Sequence, residues 1–176
     1  MKITKVYSQE VPALRFIGKC YGDSDRVNGS FGAKWQEAFA DGLFDTIEQA
    51  AGGKNALESL FQDAGAYIGL MRAKEGEPFQ YWIGLFTAAD TPVPEGLSAV
   101  DFPPSRFGIS WIYGNEAAGD IYCHEQEAAT ALINAGMKLK SASDGACWCF
   151  ERYQCPRYTT PDKTGNVTLD LGFFIK

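Results

Sequence analysis

The sequence predicts an α+β fold in which a β-α-β-β unit is written twice, with two helices against one antiparallel sheet. Two echoes and a shared spacing carry that expectation. Arg15-Phe16-Ile17-Gly18-Lys19-Cys20-Tyr21-Gly22 is repeated in outline by Arg106-Phe107-Gly108-Ile109-Ser110-Trp111-Ile112-Tyr113-Gly114. Ile83-Gly84-Leu85-Phe86 is repeated by Leu171-Gly172-Phe173-Phe174. Both echoes stand about 90 residues apart, and each copy places one helix-like stretch between them. A third match sets Ile68-Gly69-Leu70-Met71 against Cys149-Phe150-Glu151-Arg152, which puts a carboxylate inside an aromatic strand of the second copy only. Duplicated small units tend to enclose a cleft along their seam, where ligands find concave surface.

The first copy, 1–90, opens with a strand over 11–22 that alternates around Leu14, Phe16 and Cys20 and is entered through Pro12. A polar, Gly-rich loop, Asp23 to Gly32, carries Phe31 as its only large apolar side chain. From Ala33 the period lengthens: Trp35, Phe39, Leu43, Ile47 and Ala50 mark one amphipathic helix, stopped by Gly52-Gly53. Lys54 to Phe61 adds a further helical turn or two. The strands Tyr67–Ala73 and Gln80–Thr87 follow, joined by the charged turn Lys74-Glu75-Gly76-Glu77-Pro78.

A linker at 91–96, stiffened by Pro92 and Pro94, leads into the second copy, 97–176, within what reads as one domain. That copy begins with Leu97–Phe102 and, past Pro103-Pro104, the strand Arg106–Tyr113. Asp120 is the expected N-cap of a helix whose face is Ile121, Glu125, Ala128, Ala129, Leu132 and Ile133, and Gly136 ends it. The strands Ala146–Tyr153 and Val167–Ile175 close the chain around the loop Gln154 to Asn166.

Composition narrows the function. At 176 residues with 45% hydrophobic and 22% charged side chains, the chain is ordinary globular material. Its 14% aromatic content is the departure, and leaves rings free to line a pocket. A net charge of −6 without a basic cluster argues against nucleic-acid binding. No apolar run approaches the ~20 residues that span a membrane, and no leader-like segment opens the chain, so a cytoplasmic protein with free thiols is expected. The thiols Cys147, Cys149 and Cys155 with the single His124 lack the paired spacing of a zinc site, and buried free cysteine is their expected state. No cofactor motif is present; Gly29 to Gly32 lacks the Lys-Ser/Thr of a phosphate loop.

Tyr81-Trp82-Ile83-Gly84-Leu85-Phe86, Val93-Pro94-Glu95-Gly96 and Cys149-Phe150-Glu151-Arg152-Tyr153 together resemble the GyrI-like small-molecule-binding family, which is also the effector-binding domain of multidrug-responsive transcription activators. The likeness runs over almost the whole chain. It implies paired β-α-β-β units sharing one curved sheet, both helices on one face, and a ligand cleft between them. Transcriptional members carry a DNA-binding domain ahead of this module, so the chain reads as a stand-alone version. Members of that kind sequester drugs, inhibit gyrase, or hydrolyse the reactive cyclopropane of DNA-alkylating natural products. Many members place a proline near the position of Phe174, and this chain has none, which bears on the final strand and on Asp170.

Glu151 is the sharpest candidate. Alternation places Cys147, Cys149, Glu151 and Tyr153 on one face, with Trp148, Phe150 and Arg152 on the other. A carboxylate in an aromatic pocket is costly unless paired, and a planar organic cation offsets that cost by charge and by stacking. The plainer reading is a Glu151 paired with Arg152, Arg157 or a lysine at the sheet edge. Trp111, Tyr113, Trp82, Tyr153 and Tyr21 are the expected ring surface, although core packing is the commoner fate of any one such ring. Phe31 reads as a lid or a plug. The favoured function is binding of hydrophobic, cationic, drug-like molecules. Two rivals stand beside it. The first is a hydrolase in which Glu151 directs water with help from Tyr113 or Tyr153. The second is an inhibitory protein-interaction module resembling the gyrase inhibitor, although nothing in the residues indicates a protein partner.

Overall fold

The structure is a computed structural model describing residues 1–176. Its elements are β1 (Lys2–Val11), β2 (Leu14–Tyr21), α1 (Gly32–Ala40), α2 (Leu43–Ala50), α3 (Lys54–Glu58), β3 (Ile68–Ala73) and β4 (Gln80–Ala88). They continue as β5 (Ser98–Phe102), β6 (Ser105–Asn115), α4 (Glu125–Asn134), β7 (Cys147–Arg152), α5 (Pro156–Thr159) and β8 (Asn166–Ile175). All eight strands form one open antiparallel sheet in the order β1-β6-β8-β7-β3-β4-β2-β5. The order is symmetric about the central β7–β3 pair, and the two edge strands are exchanged. β1 precedes β2 in the chain but pairs with β6, whereas β5 precedes β6 and pairs with β2. Pro12 and Pro103-Pro104 lie at the two crossings, where a residue without an N–H ends the ladder and releases the chain toward the opposite edge.

The sheet is strongly curled. β4 and β6 lie four positions apart, a distance of roughly 19 Å in a flat sheet. Yet the rings of Phe86 and Phe107 are centred 5.5 Å from one another. Phe102 of the edge strand β5 likewise stacks on Phe174 of β8 at 4.7 Å. The concave face therefore closes on its own aromatic core, in which Phe16, Phe86, Phe107 and Phe150 are fully buried. Each such burial contributes on the order of 1.5–3 kcal/mol. Helices α1, α2 and α4 occupy the other face, packing Ala38, Leu43, Phe44, Ile47 and Ala128 onto Ile17, Ile83, Leu85, Ile112, Leu169 and Leu171.

Three local expectations are corrected. The strand expected over 11–22 is β2, and a further strand, β1, precedes it, too polar to show as a hydrophobic alternation. Its lysines at 2 and 5 and a register shift between Ile3 and Lys5 suit an edge that must resist pairing with other chains. The single helix expected from Ala33 to Ala50 is broken at Gly42, whose left-handed φ of 65° no helix interior accepts. The second helix starts at Glu125 with His124 as N-cap, not at Asp120, since Cys123 with φ 61° interrupts any earlier helical path.

Asp170, buried on β8, sits in a four-charge network on the concave side. Arg157 donates from Nε to Asp170 Oδ1 at 2.6 Å and from Nη2 to Asp63 at 2.8 Å. Arg152 reaches both carboxylates at 3.4 Å and donates to Gln9 at 3.1 Å. Two positive and two negative charges balance, and the network joins β1, the loop before β3, β7, α5 and β8. Arg152 thus pairs with Asp63 and Asp170 rather than with its neighbour Glu151.

Candidate functional site

Glu151 lies on the helix-bearing face of β7, opposite Gly69 of β3 in the central strand pair. The two residues are equivalent in the two halves. Gly84 of β4 stands opposite Ile68, and Gly172 of β8 stands opposite Phe150, so the shared glycine aligns Ile68 with Phe150 and Gly69 with Glu151. The sequence echo had set Leu70 against Glu151, one residue out of step. Gly69 matters because a Cβ there would come 2.3 Å from the Tyr81 hydroxyl and 3.2 Å from Glu151 Oε2. The space left by the missing side chain holds the carboxylate and its donor.

Two phenols hold Glu151. Tyr81 of β4 donates to Oε2 at 3.2 Å, and Tyr153, just past β7, donates to the same oxygen at 2.9 Å. Trp35 of α1 donates its indole N–H to the Tyr81 hydroxyl at 3.1 Å, which fixes that ring from above. Oε1 receives no hydrogen bond from the protein. Glu151 is only 7% exposed. Burial raises its carboxyl from 4.5 to about 7, with the charge of Glu125 adding to the shift and the hydroxyls of Tyr153 and Tyr81 opposing it. Both phenols are themselves held well above their ordinary value, by burial first and by the Glu151 charge second, so they remain donors at any physiological pH.

Above this carboxylate is a cavity of about 850 Å³, within the ~300–1,000 Å³ typical of small-molecule sites. Its floor comes from β3 and β7 (Met71, Cys149, Glu151), one wall from α1 and the preceding loop (Phe31, Trp35, Phe39), and the other from the stretch entering α4 (Glu116, Tyr122, Glu125). Phe31 stacks flat on Tyr81 at 4.3 Å, and Trp35 meets Tyr153 edge-on at 4.8 Å. Three carboxylates line the space, those of Glu116, Glu125 and Glu151, and the only positive side chain is Arg26. Arg26 is engaged with Asp23 at 2.9 Å and lies over Phe31 at 4.4 Å. No lysine, arginine or histidine comes within 4.0 Å of any of the three acids. A smaller cavity of about 380 Å³ adjoins at Tyr67 and Gln154 and has mostly polar walls.

The residues singled out from sequence separate into two groups. Glu151, Tyr153 and Phe31 line the cavity. Trp82 and Trp111 belong to the concave core on the opposite face of the sheet. Trp82 packs against Phe16 there, and Trp111 lies between the Lys5 ammonium at 4.5 Å and the Arg157 guanidinium at 5.0 Å. Tyr113 donates to Asp162 at the end of the sheet, and Tyr21 sits beside Lys34 at the edge of the helix-side core; neither lines the cavity. Sequence reasoning passed over Tyr81, Trp35, Tyr122, Tyr158 and Glu116. The readable signal was Gly69, since a glycine inside a strand marks a close approach. The thiols also differ from expectation: Cys20, Cys123 and Cys147 are exposed, Cys149 is half-buried and only Cys155 is buried. Cys155 lies beside Asp63 and Asp170, but those acids already serve Arg152 and Arg157, so the group is a structural network, not a metal centre.

No helix is long and apolar enough to cross a membrane. No family model and no curated relative matches the chain. Among solved structures, a candidate bacterial transcription regulation protein from Staphylococcus aureus MU50 superposes with a TM-score of 0.61 at 16% identity, over 98% of both chains. The structure of SAV2435 bound to tetraphenylphosphonium superposes with a TM-score of 0.62 at 16% identity, over 98% of this chain and 94% of that one. An integron cassette protein of Vibrio cholerae follows at 0.50 and 11% identity, over 99% and 97%. These likenesses establish a shared fold spanning almost the whole chain.

Proposed function

We propose that this chain is a GyrI-like small-molecule-binding protein that takes hydrophobic organic cations into the cavity between its two halves. The observation that carries the reading is the contrast between two buried acids on neighbouring strands. Asp170 is given two arginines, whereas Glu151 is given only neutral hydroxyls and is left facing a cavity with aromatic walls. A lipophilic cation supplies the missing charge and packs against the cavity rings of Tyr153 and Trp35, each ring contact contributing ~0.5–2 kcal/mol. Such a ligand suits the site better than a neutral one, because it stabilises the ionised carboxylate that burial disfavours. That a structural neighbour is a complex with tetraphenylphosphonium supports this ligand class.

Titration calorimetry with tetraphenylphosphonium, on wild type and Glu151→Gln at pH 8, tests the proposal. The expected loss in the variant is on the order of tenfold or more. Equal affinity would remove the charge argument. A second reading rests on the raised carboxyl of Glu151, which at about 7 suits general-base work near neutral pH. Here Glu151 would direct water onto a strained or activated electrophile. Mass spectrometry of cyclopropane and ester substrates, watching for added water, decides between holding and hydrolysing; no turnover above buffer leaves binding alone.

A further inference from the structure

The cavity holds a second tyrosine-held carboxylate, which no part of the monocation reading uses. Glu116, in the turn after β6, accepts from Tyr158 at 2.5 Å and from Tyr122 at 3.0 Å through one oxygen, Oε1. Glu151 is held the same way, by two phenols on one oxygen. The two clusters touch: the Tyr153 ring, bonded to Glu151, meets the Tyr158 ring, bonded to Glu116, edge-on with centroids 5.1 Å apart. Tyr122 reports both acids, its phenol pushed up to about 12 by burial first, with the charges of Glu116 and Glu151 each adding. Glu125 also lines the cavity but makes no side-chain hydrogen bond, so it lends negative potential without a fixed position.

We propose that the cavity is built for dications: flat or semi-rigid molecules with a positive group at each end, one at buried Glu151 and the other at exposed Glu116, with the body along the Tyr153–Tyr158 edge. This rests on the binding function proposed above and specifies its ligand class. The geometry favours two charges over one. A monocation satisfies the inner acid and leaves the outer acid to solvent, whereas a rigid dication engages both at the entropic cost of one association. Arg26 does not compete for Glu116, since its guanidinium is occupied by Asp23 and the Phe31 ring.

The test compares an aromatic diamidine with the monoamidine of the same scaffold by titration calorimetry at pH 8. Wild type, Glu116→Gln, Glu125→Gln and Glu151→Gln are measured. Wild type is expected to hold the diamidine about fivefold to tenfold more tightly, the range set by one solvent-facing ion pair with a stacked ring. Glu116→Gln is expected to remove most of that advantage, weakening the diamidine about fivefold more than the monoamidine. Glu125→Gln should weaken both alike, and Glu151→Gln should weaken both strongly. A series of diamidines with lengthening linkers should show one affinity maximum in wild type and none in Glu116→Gln. Equal affinities for the two ligands in wild type would overturn the dication assignment, as would equal losses for both in Glu116→Gln. If the monoamidine still depends on Glu151 in those cases, the monocation reading survives alone. Failure of both ligands to bind overturns both. Glu116 is exposed in a turn, so its variant should keep the wild-type unfolding midpoint, which is checked first.

Discussion

Replacing Glu151 with glutamine should stabilise the free protein, and the gain should depend on pH. The carboxyl titrates at about 7 in the folded chain against 4.5 when unperturbed. Below 4.5 both states hold the proton and the site costs nothing. Between 4.5 and 7 the unfolded chain has released its proton while the folded chain retains it, so stability falls as pH rises. Above 7 the folded chain must carry a buried anion, and the accumulated cost is about 3 kcal/mol. Glutamine keeps an oxygen for the Tyr81 and Tyr153 hydroxyls and has no proton to lose. Urea unfolding of wild type and Glu151→Gln should therefore agree within error near pH 4.5 and diverge by about 3 kcal/mol at pH 8, with the variant the more stable. In thermal melts that is roughly 6–12 °C for a domain of this size. Tetraphenylphosphonium should close the gap by stabilising only the wild type appreciably. Parallel stability curves from pH 4.5 to 8, or a wild type that gains on the variant as pH rises, would refute the claim that burial dominates this carboxyl.

Other consequences follow from the same geometry. Gly69→Ala places a methyl where the Tyr81 hydroxyl lies, so tetraphenylphosphonium affinity should fall and stability should drop by ~1–3 kcal/mol in urea unfolding. Tyr153→Phe removes the 2.9 Å donor that holds the Glu151 carboxyl down, so the pH at which cation affinity is half-maximal should move upward from about 7. A downward shift would contradict the assignment. Arg157→Met leaves buried Asp170 with Arg152 alone and should destabilise by ~3–5 kcal/mol, read from the urea midpoint. Trp82→Phe acts on the concave core and should change tetraphenylphosphonium affinity less than twofold.

The sequence was most legible where one physical rule acts alone. The apolar runs of β3, β4, β7 and β8 stood out because each is buried on both faces of a central strand. Alternation also grouped Glu151 with Cys147 and Cys149, away from Trp148 and Phe150, as the structure has them. Alternation does not say which face of a neighbouring strand looks the same way. Tyr81 and Trp82 are adjacent, aromatic and both buried, and only the register of β4 against β3 puts Tyr81 beside Glu151 and sends Trp82 to the far side. The same ambiguity placed Trp111 with the candidate rings. β1 was missed for a different reason: an edge strand is polar by necessity, so the feature that keeps it from aggregating hides it from a hydrophobic pattern. The exchange of β1 and β5 between halves is a property of topology, and leaves no local trace beyond the prolines at the crossings.

The central strand pair explains why a symmetric fold has an asymmetric site. Equivalent residues of the two halves meet across β3 and β7, so any side chain at 69 faces its own counterpart at 151. Were both glutamates, two carboxyls would share one buried position, where like charges so close cannot both ionise, and the side chain at 69 would fill the space in which the Tyr81 hydroxyl reaches Glu151. Were both glycines, the cavity would have no charge at its floor. One glycine and one glutamate is the combination that leaves room for the acid, lets Tyr81 cross from the other half to bond it, and keeps a single ionisable oxygen pair at the seam. On the proposed function, a cation entering the cavity offsets part of the instability that this buried acid imposes above neutral pH. Affinity for a cation and the destabilisation of the empty protein are therefore coupled through one carboxylate, and Glu151→Gln should lower both.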